Sequence, residues 1–467
     1  MNKNLRNGLT VLAVGVVIWF LPVPAGLSVP AWHLFAIFVA TILGFILQPL
    51  PIGAIALIAI GLTGLFGIVK PADLLSGFGN TTIWLIVSAF LFAKGFVKTG
   101  LGRRIAYKIM AAIGDSSLKM AYAMVLSDLI IAPATPSNTA RGGGILYPIV
   151  RSLSSAFGSE PGETSRKIGS YLMKSTFQGN CITSAMFLTA VAPNSLVAAL
   201  AMQTSKVQIS WGTWAIAGIL PGLIALALAP YIIYKLYPPE ITKTPEAKVI
   251  ARKELDTMGP MSYGEKVVAC TFVIALLLWS TATYTKIDAT ISAIVCVGIM
   301  LVGKAIEWQD VLEEKGAWDT LVWMGALISL AGALAKIGLI AWFAKIVGAS
   351  LVGYSWAMSL GILLLVYMYS HYAFASLSAH VTAMYAAFLA VAVAAGAPAF
   401  LAAMSLGVIS ALYGGLTHYA TGPAPIFFGS GYVPQGTWWK IGFIMSVVNL
   451  IIFIGIGSMW WKFLGLW

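Results

Sequence analysis

Apolar runs of about 20 residues recur from one end of this chain to the other, the length a helix needs to cross the hydrocarbon core of a bilayer. Barrel strands would instead give alternating segments of about ten residues. The chain is 467 residues long, 59% hydrophobic and only 9% charged, against roughly 25% charged in soluble domains. The fold class is therefore all-α, a polytopic membrane protein. Expected spans run over 9–26, 32–48, 52–69, 81–99, 211–236, 264–283, 287–303, 319–338 and 440–463.

The formal net charge of +12 resides on Lys and Arg at the edges of the apolar runs, so it reports topology and lipid contact, and no nucleic-acid partner is expected. Arg103, Arg104, Lys108, Lys119, Arg151, Arg166, Lys167 and the basic residues of 238–263 fall on one side. The positive-inside rule makes that side cytoplasmic, together with the N-terminus. Lys3 and Arg6 precede the first span with no clear small-residue cleavage site and no Ser- and Arg-rich transit extension. A retained first helix in a bacterial cell (inner) membrane is the expectation. Cys181, Cys270 and Cys296 lie in apolar stretches without CxxC or Cys/His spacing and read as packing residues.

The hydrophilic stretch 238–263 divides the chain, and self-similarity appears across it. Thr82, Lys98, Gly100 and Leu101 match Thr320, Lys336, Gly338 and Leu339; Ser137-Asn138-Thr139-Ala140-Arg141 matches Ser376-Leu377-Ser378-Ala379-His380; Gly212-Thr213-Trp214 matches Gly436-Thr437-Trp438. The expected organisation is an N-terminal helix (1–31), a first repeat (32–237) with a cytoplasmic-side hairpin at 118–157, a cytoplasmic linker (238–263), and a second repeat (264–467) with an outside hairpin at 351–396. Five crossings and one re-entrant hairpin per repeat would invert the second repeat relative to the first, as in secondary transporters.

Four stretches are apolar yet broken by Gly, Pro, Ser and Asn: 118–157, 167–203, 351–396 and 398–435. Broken backbone at membrane depth is tolerated only where protein buries it or it lines a cavity, so function is sought there. In the first hairpin, Pro133 and Pro136 end the ascending helix and Ser137, Asn138 and Thr139 open the descending one. Free amides and a partial positive charge at such a helix start suit an anion, although N-capping alone explains the same residue types. The second hairpin repeats the pattern with Ser376 and Ser378. Two facing helix breaks offer Thr189, Asn194, His418 and Thr421, with structural kinks as the alternative.

Arg141 opposes the helix dipole in the first turn and is costly at membrane depth, so something negative should compensate it. His380 takes the equivalent place, where a packed, hydrogen-bonded histidine is the alternative. Asp128, buried in the first hairpin, reads as a structural hydrogen-bonding group, with a proton relay as the rival. His33, His371, His380 and His418 form no HExxH, and no nucleophile stands beside a base, which disfavours an intramembrane enzyme; no metal or cofactor is expected. An ion channel is disfavoured by the lack of a repeated acidic or carbonyl ring motif.

The run Ser137 to Gly144, with Ser378-Ala379-His380 and Thr417-His418-Tyr419-Ala420-Thr421-Gly422-Pro423, resembles the divalent anion sodium symporter superfamily, in its 2-oxoglutarate/malate translocator and citrate/succinate antiporter branch. The resemblance implies about eleven spans, a homodimer, and elevator movement of the domain carrying both hairpins. By that likeness Ser137, Asn138 and Thr139 bind one carboxylate of a di- or tricarboxylate, and Ser376 with Ser378 the other. Leu377, Arg141 and His380 depart from the sodium-coupled pattern. They suggest sodium-independent exchange, with Arg141 and His380 compensating the guest's charge; a sodium-coupled symporter is the alternative.

Overall fold

The computed structural model describes residues 3–339, 341–343, 346 and 354–467. Among them, eight helices are long and apolar enough to cross a membrane, including Thr81–Thr99, Trp211–Leu236, Lys315–Lys336 and Gln435–Phe463, and three shorter apolar helices accompany them. Their starts are chemically marked. Ser28, Asn80, Ser210 and Ser355 each accept a hydrogen bond from a first-turn amide, and Ser262 with Glu265 closes a reciprocal capping box.

Two ion pairs make the duplication visible. Lys98, at the end of helix Thr81–Thr99, reaches Asp310 at 2.6 Å, and Lys336, at the end of helix Lys315–Lys336, reaches Asp73 at 2.7 Å. Asp73 and Asp310 each sit in a short helix just before the matching long one. Each long helix therefore ends where its counterpart begins: the two run antiparallel, and the repeat is inverted. The four residues lie too near water to stabilise much; their value is as a marker of register.

Both hairpins return to the side they leave. Ser117 N donates to Thr242 O at one end of the first, and Tyr432 Oη donates to Ser159 O just past the other, both on the linker side. In the second, a methyl group on Gly396 would lie 3.8 Å from Trp356 Cβ, so its two ends adjoin. Trp356 also packs edge-on against Trp467. The helix Gln435–Phe463, between Tyr432 and Trp467, spans 29 residues, roughly 43 Å of rise. The hairpins thus enter from opposite faces. Residues 351–353, where the second was expected to start, lie outside the described residues.

Some boundaries differ from expectation. The first helix is Lys3–Phe20, because the tripeptide Leu21-Pro22-Val23 with Pro24 cannot continue it. The linker is not a loop: it contains helix Pro245–Met258, whose Ala247 and Ala251 are fully buried. It packs against the amphipathic helix Leu101–Ile113. Arg104 anchors this side, with its Nε 2.6 Å from Glu265 Oε1 and an Nη1 hydrogen bond to Gly259 O.

Candidate functional site

The ascending arm Ser117–Ile131 ends in a tight turn at Ala132–Ala134, Thr135 is extended, and helix resumes at Thr139 as a wide π-turn to Leu146. The second hairpin repeats this order: Trp356–Tyr369, a tight turn at Ser370–Ala373, extended Phe374, helix from Leu377, and a π-turn over Val381–Tyr385. Ser137 and Ser376 cap the two resumptions, accepting from Ala140 N at 3.1 Å and Ala379 N at 3.3 Å. π-Turns inside helices are uncommon and gather at functional sites.

Each tip packs on a helix break. The first lies against Phe187–Ala192, where Ala192 N donates to Pro136 O at 3.1 Å. The second lies against Tyr413–Thr421, where Tyr413 Oη donates to Leu377 O at 3.3 Å. The tips also share a centre. Asn138 Nδ2 donates to Thr421 Oγ1 at 2.8 Å, and a methyl group placed on Gly414 would touch both Leu377 and Thr421 at 3.3 Å. A Cβ on Gly422 would overlap the Thr139 hydroxyl, so a side chain could enter only if that hydroxyl moved. Residues 137–139 and 376–378 therefore converge on the surroundings of Thr421. Ser137, Thr139, Ser376 and Ser378 remain half-buried there, whereas Thr421 is 3% exposed.

Behind the tips, the two basic residues occupy equivalent positions but not the role expected of them. Arg141 is fully buried; its Nε lies 3.0 Å from Asp128 Oδ1, its Nη2 donates to Ser184 Oγ at 3.0 Å, and its Nη1 donates to both Thr135 O and Ala190 O. The carboxylate that neutralises it is inside the same hairpin. Asp128 accepts further bonds from Asn180 Nδ2 at 3.1 Å and from the Thr183 hydroxyl, so the pair meets the demand that buried charges be matched and hydrogen-bonded. Arg141 consequently presents no net charge to a guest.

His380 is likewise turned inward, because the residue before it in space is another imidazole. His371 Nε2 contacts Ala420 O at 2.8 Å, His371 Nδ1 contacts His380 Nδ1 at 2.9 Å, and His380 Nε2 contacts Ser370 Oγ at 3.1 Å. A carbonyl only accepts, so His371 carries a proton on Nε2; in the neutral tautomer pair His371 accepts at Nδ1, His380 donates from Nδ1 and the Ser370 hydroxyl donates to His380 Nε2. That pair completes the chain without a net charge. Ala190 and Ala420 each stand three residues before a proline, Pro193 and Pro423. One long guanidinium in the first half and two imidazoles in the second thus make the same bridge, from hairpin to broken helix.

Thr189 and Asn194, expected at the guest, serve as braces. Thr189 donates to Pro133 O and accepts from Trp211 Nε1 at 2.9 Å; Asn194 Nδ2 donates to Ser184 O at 2.7 Å and Phe187 O at 2.9 Å. Both are fully buried with these donors spent on backbone. His418, at the other break, accepts from Trp439 Nε1 at 3.0 Å.

Comparison with known proteins places this geometry. Residues 2–467 match the family described as "Sodium:sulfate symporter transmembrane region". The chain belongs to the divalent anion sodium symporter family. A family member from Bacillus subtilis, "Putative malate transporter YflS", is 54% identical over 460 residues, covering 98% of this chain and 96% of that one. "Dicarboxylate transporter 1, chloroplastic" of Arabidopsis thaliana is 48% identical, with 98% and 82% covered, and "Inner membrane protein YbhI" of Escherichia coli 40% identical, with 100% and 99% covered. Among solved structures, the Alcanivorax borkumensis YdaH transporter superposes with a TM-score of 0.58 at 12% identity, 98% of each chain being covered, which shows a common fold. The family is one of transporters, not enzymes.

For this family member, sequence reasoning missed His371, Gln178, Asn180 and Ser184, which hold the site together. The signal was present: Lys174-Ser175-Thr176-Phe177-Gln178-Gly179-Asn180 is a polar run at membrane depth, where such residues are expensive and usually functional.

Proposed function

We propose that this protein is a cell-membrane carrier that exchanges small di- or tricarboxylates, such as malate, succinate and 2-oxoglutarate, without sodium. The names of its relatives point to the substrate class, and the site supplies the matching chemistry. Ser137, Asn138 and Thr139 hold one carboxylate at the first tip; Ser376 and Ser378 hold the other at the second, with Thr421 between them. Two helix starts facing one centre add free amides and partial positive charge for a doubly negative guest.

The observation that carries sodium independence is the place of the Arg141 guanidinium. Two backbone carbonyls, a hydroxyl and a carboxylate converge on it, an oxygen set of the kind that holds a hard cation. A permanent cation already fills it. In the second half, the His371–His380 bridge takes up the equivalent carbonyl, that of Ala420. The tips are thereby held in binding shape by side chains, where a sodium-coupled relative would need ions to do so.

Movement follows the elevator scheme: the domain bearing both hairpins slides past the remainder of a homodimer, N-terminus in the cytoplasm. An empty site leaves amides and hydroxyls without partners, which impedes passage through a dry interior; a bound carboxylate satisfies them. Counterflow in proteoliposomes tests the reading. Labelled malate should enter vesicles preloaded with malate equally well in sodium and in potassium buffer. Uptake into empty vesicles that requires a sodium gradient would establish symport instead.

A further inference from the structure

With Asp128 matching Arg141 and the two histidines neutral, neither tip offers a full positive charge, yet the guest is a dianion. One basic side chain nearby has no polar partner among the described residues. Lys174 is fully buried in helix Gly169–Met186, and its Nζ has no hydrogen-bond partner and no ion pair among the described residues. It is held instead over aromatic faces, 4.0 Å from the Trp438 ring and 5.3 Å from the Phe177 ring. Cation–π contact is only a partial substitute for a counter-anion, so the amine still lacks an anionic partner.

Its position ties it to the site. Gln178 lies one helical turn further along the same face, and its Nε2 donates to Gly415 O at 2.8 Å. Gly415 adjoins Gly414, which packs between Leu377 and Thr421. Lys174 is thus linked to the convergence of the tips through Gln178 and the Gly414-Gly415 break, inside the protein, where charges interact more strongly than in water. An isolated buried ammonium is costly, and a dianion nearby removes much of that cost.

We infer that Lys174 is the counter-cation of the bound dicarboxylate: it acts through the interior field, without touching the guest, and sets the preference for dianions over monoanions. This rests on the carboxylate reading above. It also replaces Arg141 and His380 in the role of charge compensation.

The test compares succinate with its monomethyl ester, which keeps the same carbon chain between the carboxyl groups and carries one charge fewer, as competitors of labelled malate exchange in proteoliposomes. The readout is the ratio of their inhibition constants, since a general defect in packing shifts both together. In Lys174→Met the ratio should fall at least about tenfold, and Lys174→Arg should restore part of it. Lys174→Gln serves as a second neutral variant should the first fail to fold. An unchanged ratio in either folded neutral variant overturns the inference while leaving dicarboxylate exchange intact. A wild-type protein that exchanges no dicarboxylate overturns the carboxylate reading itself, and the role of Lys174 with it.

Discussion

Asn138 and Thr421 are 283 positions apart in sequence, and their side chains meet at 2.8 Å, joining the tip of the first hairpin to the broken helix of the second half. That contact makes one site out of two repeats. Because Asn138 is 8% and Thr421 3% exposed, removing the acceptor leaves a nearly buried amide unpaired, at about 1–3 kcal/mol. Thr421→Val should therefore weaken apparent affinity for malate about 5- to 100-fold, whereas Thr421→Ser should stay within a few-fold of wild type. Counterflow at varied malate concentration measures both.

The Arg141–Asp128 pair is inaccessible to water on both sides. Breaking such a pair typically costs about 3–5 kcal/mol, while exchanging both members for apolar groups costs far less. Asp128→Ala is expected to lower the thermal unfolding temperature in detergent sharply, and Asp128→Leu combined with Arg141→Met to recover a large part of the loss. A double variant as unstable as the sum of the singles would show that Arg141's bonds to Thr135 and Ala190 carbonyls, not its charge, dominate.

Gly422 faces Thr139 so closely that any Cβ overlaps its hydroxyl. Gly422→Ala should impair exchange by turning the Thr139 hydroxyl or pushing the first tip away from Thr421. Adding Thr139→Ala removes the clashing atom, since the remaining Cβ lies 3.3 Å from the new methyl, and should restore thermal stability in detergent while malate affinity stays weakened by loss of the Thr139 hydroxyl. A double variant no more stable than Gly422→Ala would show that the damage does not come from that contact.

At the linker-side surface, hydrogen bonds from Lys119 and then Lys248 hold the Asp115 carboxyl below its ordinary value of 3.8. A carboxyl with a depressed folded-state pKa contributes stability that is complete above the unfolded value and is lost as pH falls through the lower, folded one. Docking of helix Pro245–Met258 through Lys248 should therefore be unaffected between about pH 7 and about pH 4.5 and loosen only below 3.8. The mobility of a spin label at residue 250 reports it; loosening near neutral pH would contradict the assignment.

Much of this was legible in the chain. Span length, the positive residues on one side and the collinear matches of Lys98 with Lys336 and Arg141 with His380 foretold helices, duplication and two opposed hairpins, because these depend on local composition and on period. The family likeness rested on the Ser-Asn-Thr run. The linker helix escaped notice because its charged residues hide a small apolar stripe, Ala247 and Ala251, that is meaningful only against a neighbouring helix.

What sequence could not supply was the destination of each polar group. It determined that a cation at 141 needed an anion, and tertiary structure decided that the anion is Asp128, thirteen residues earlier, and not the guest. It placed a basic residue at 380, but the neighbour that neutralises its role, His371, is selected by the turn at Ser370–Ala373. Lys174 is one member of a polar run in the sequence, and only packing isolates it from partners. The physical reason is the same in each case: a side chain's type fixes what it requires, and only the fold, by bringing distant segments within about 3 Å in a medium without water, fixes what meets that requirement.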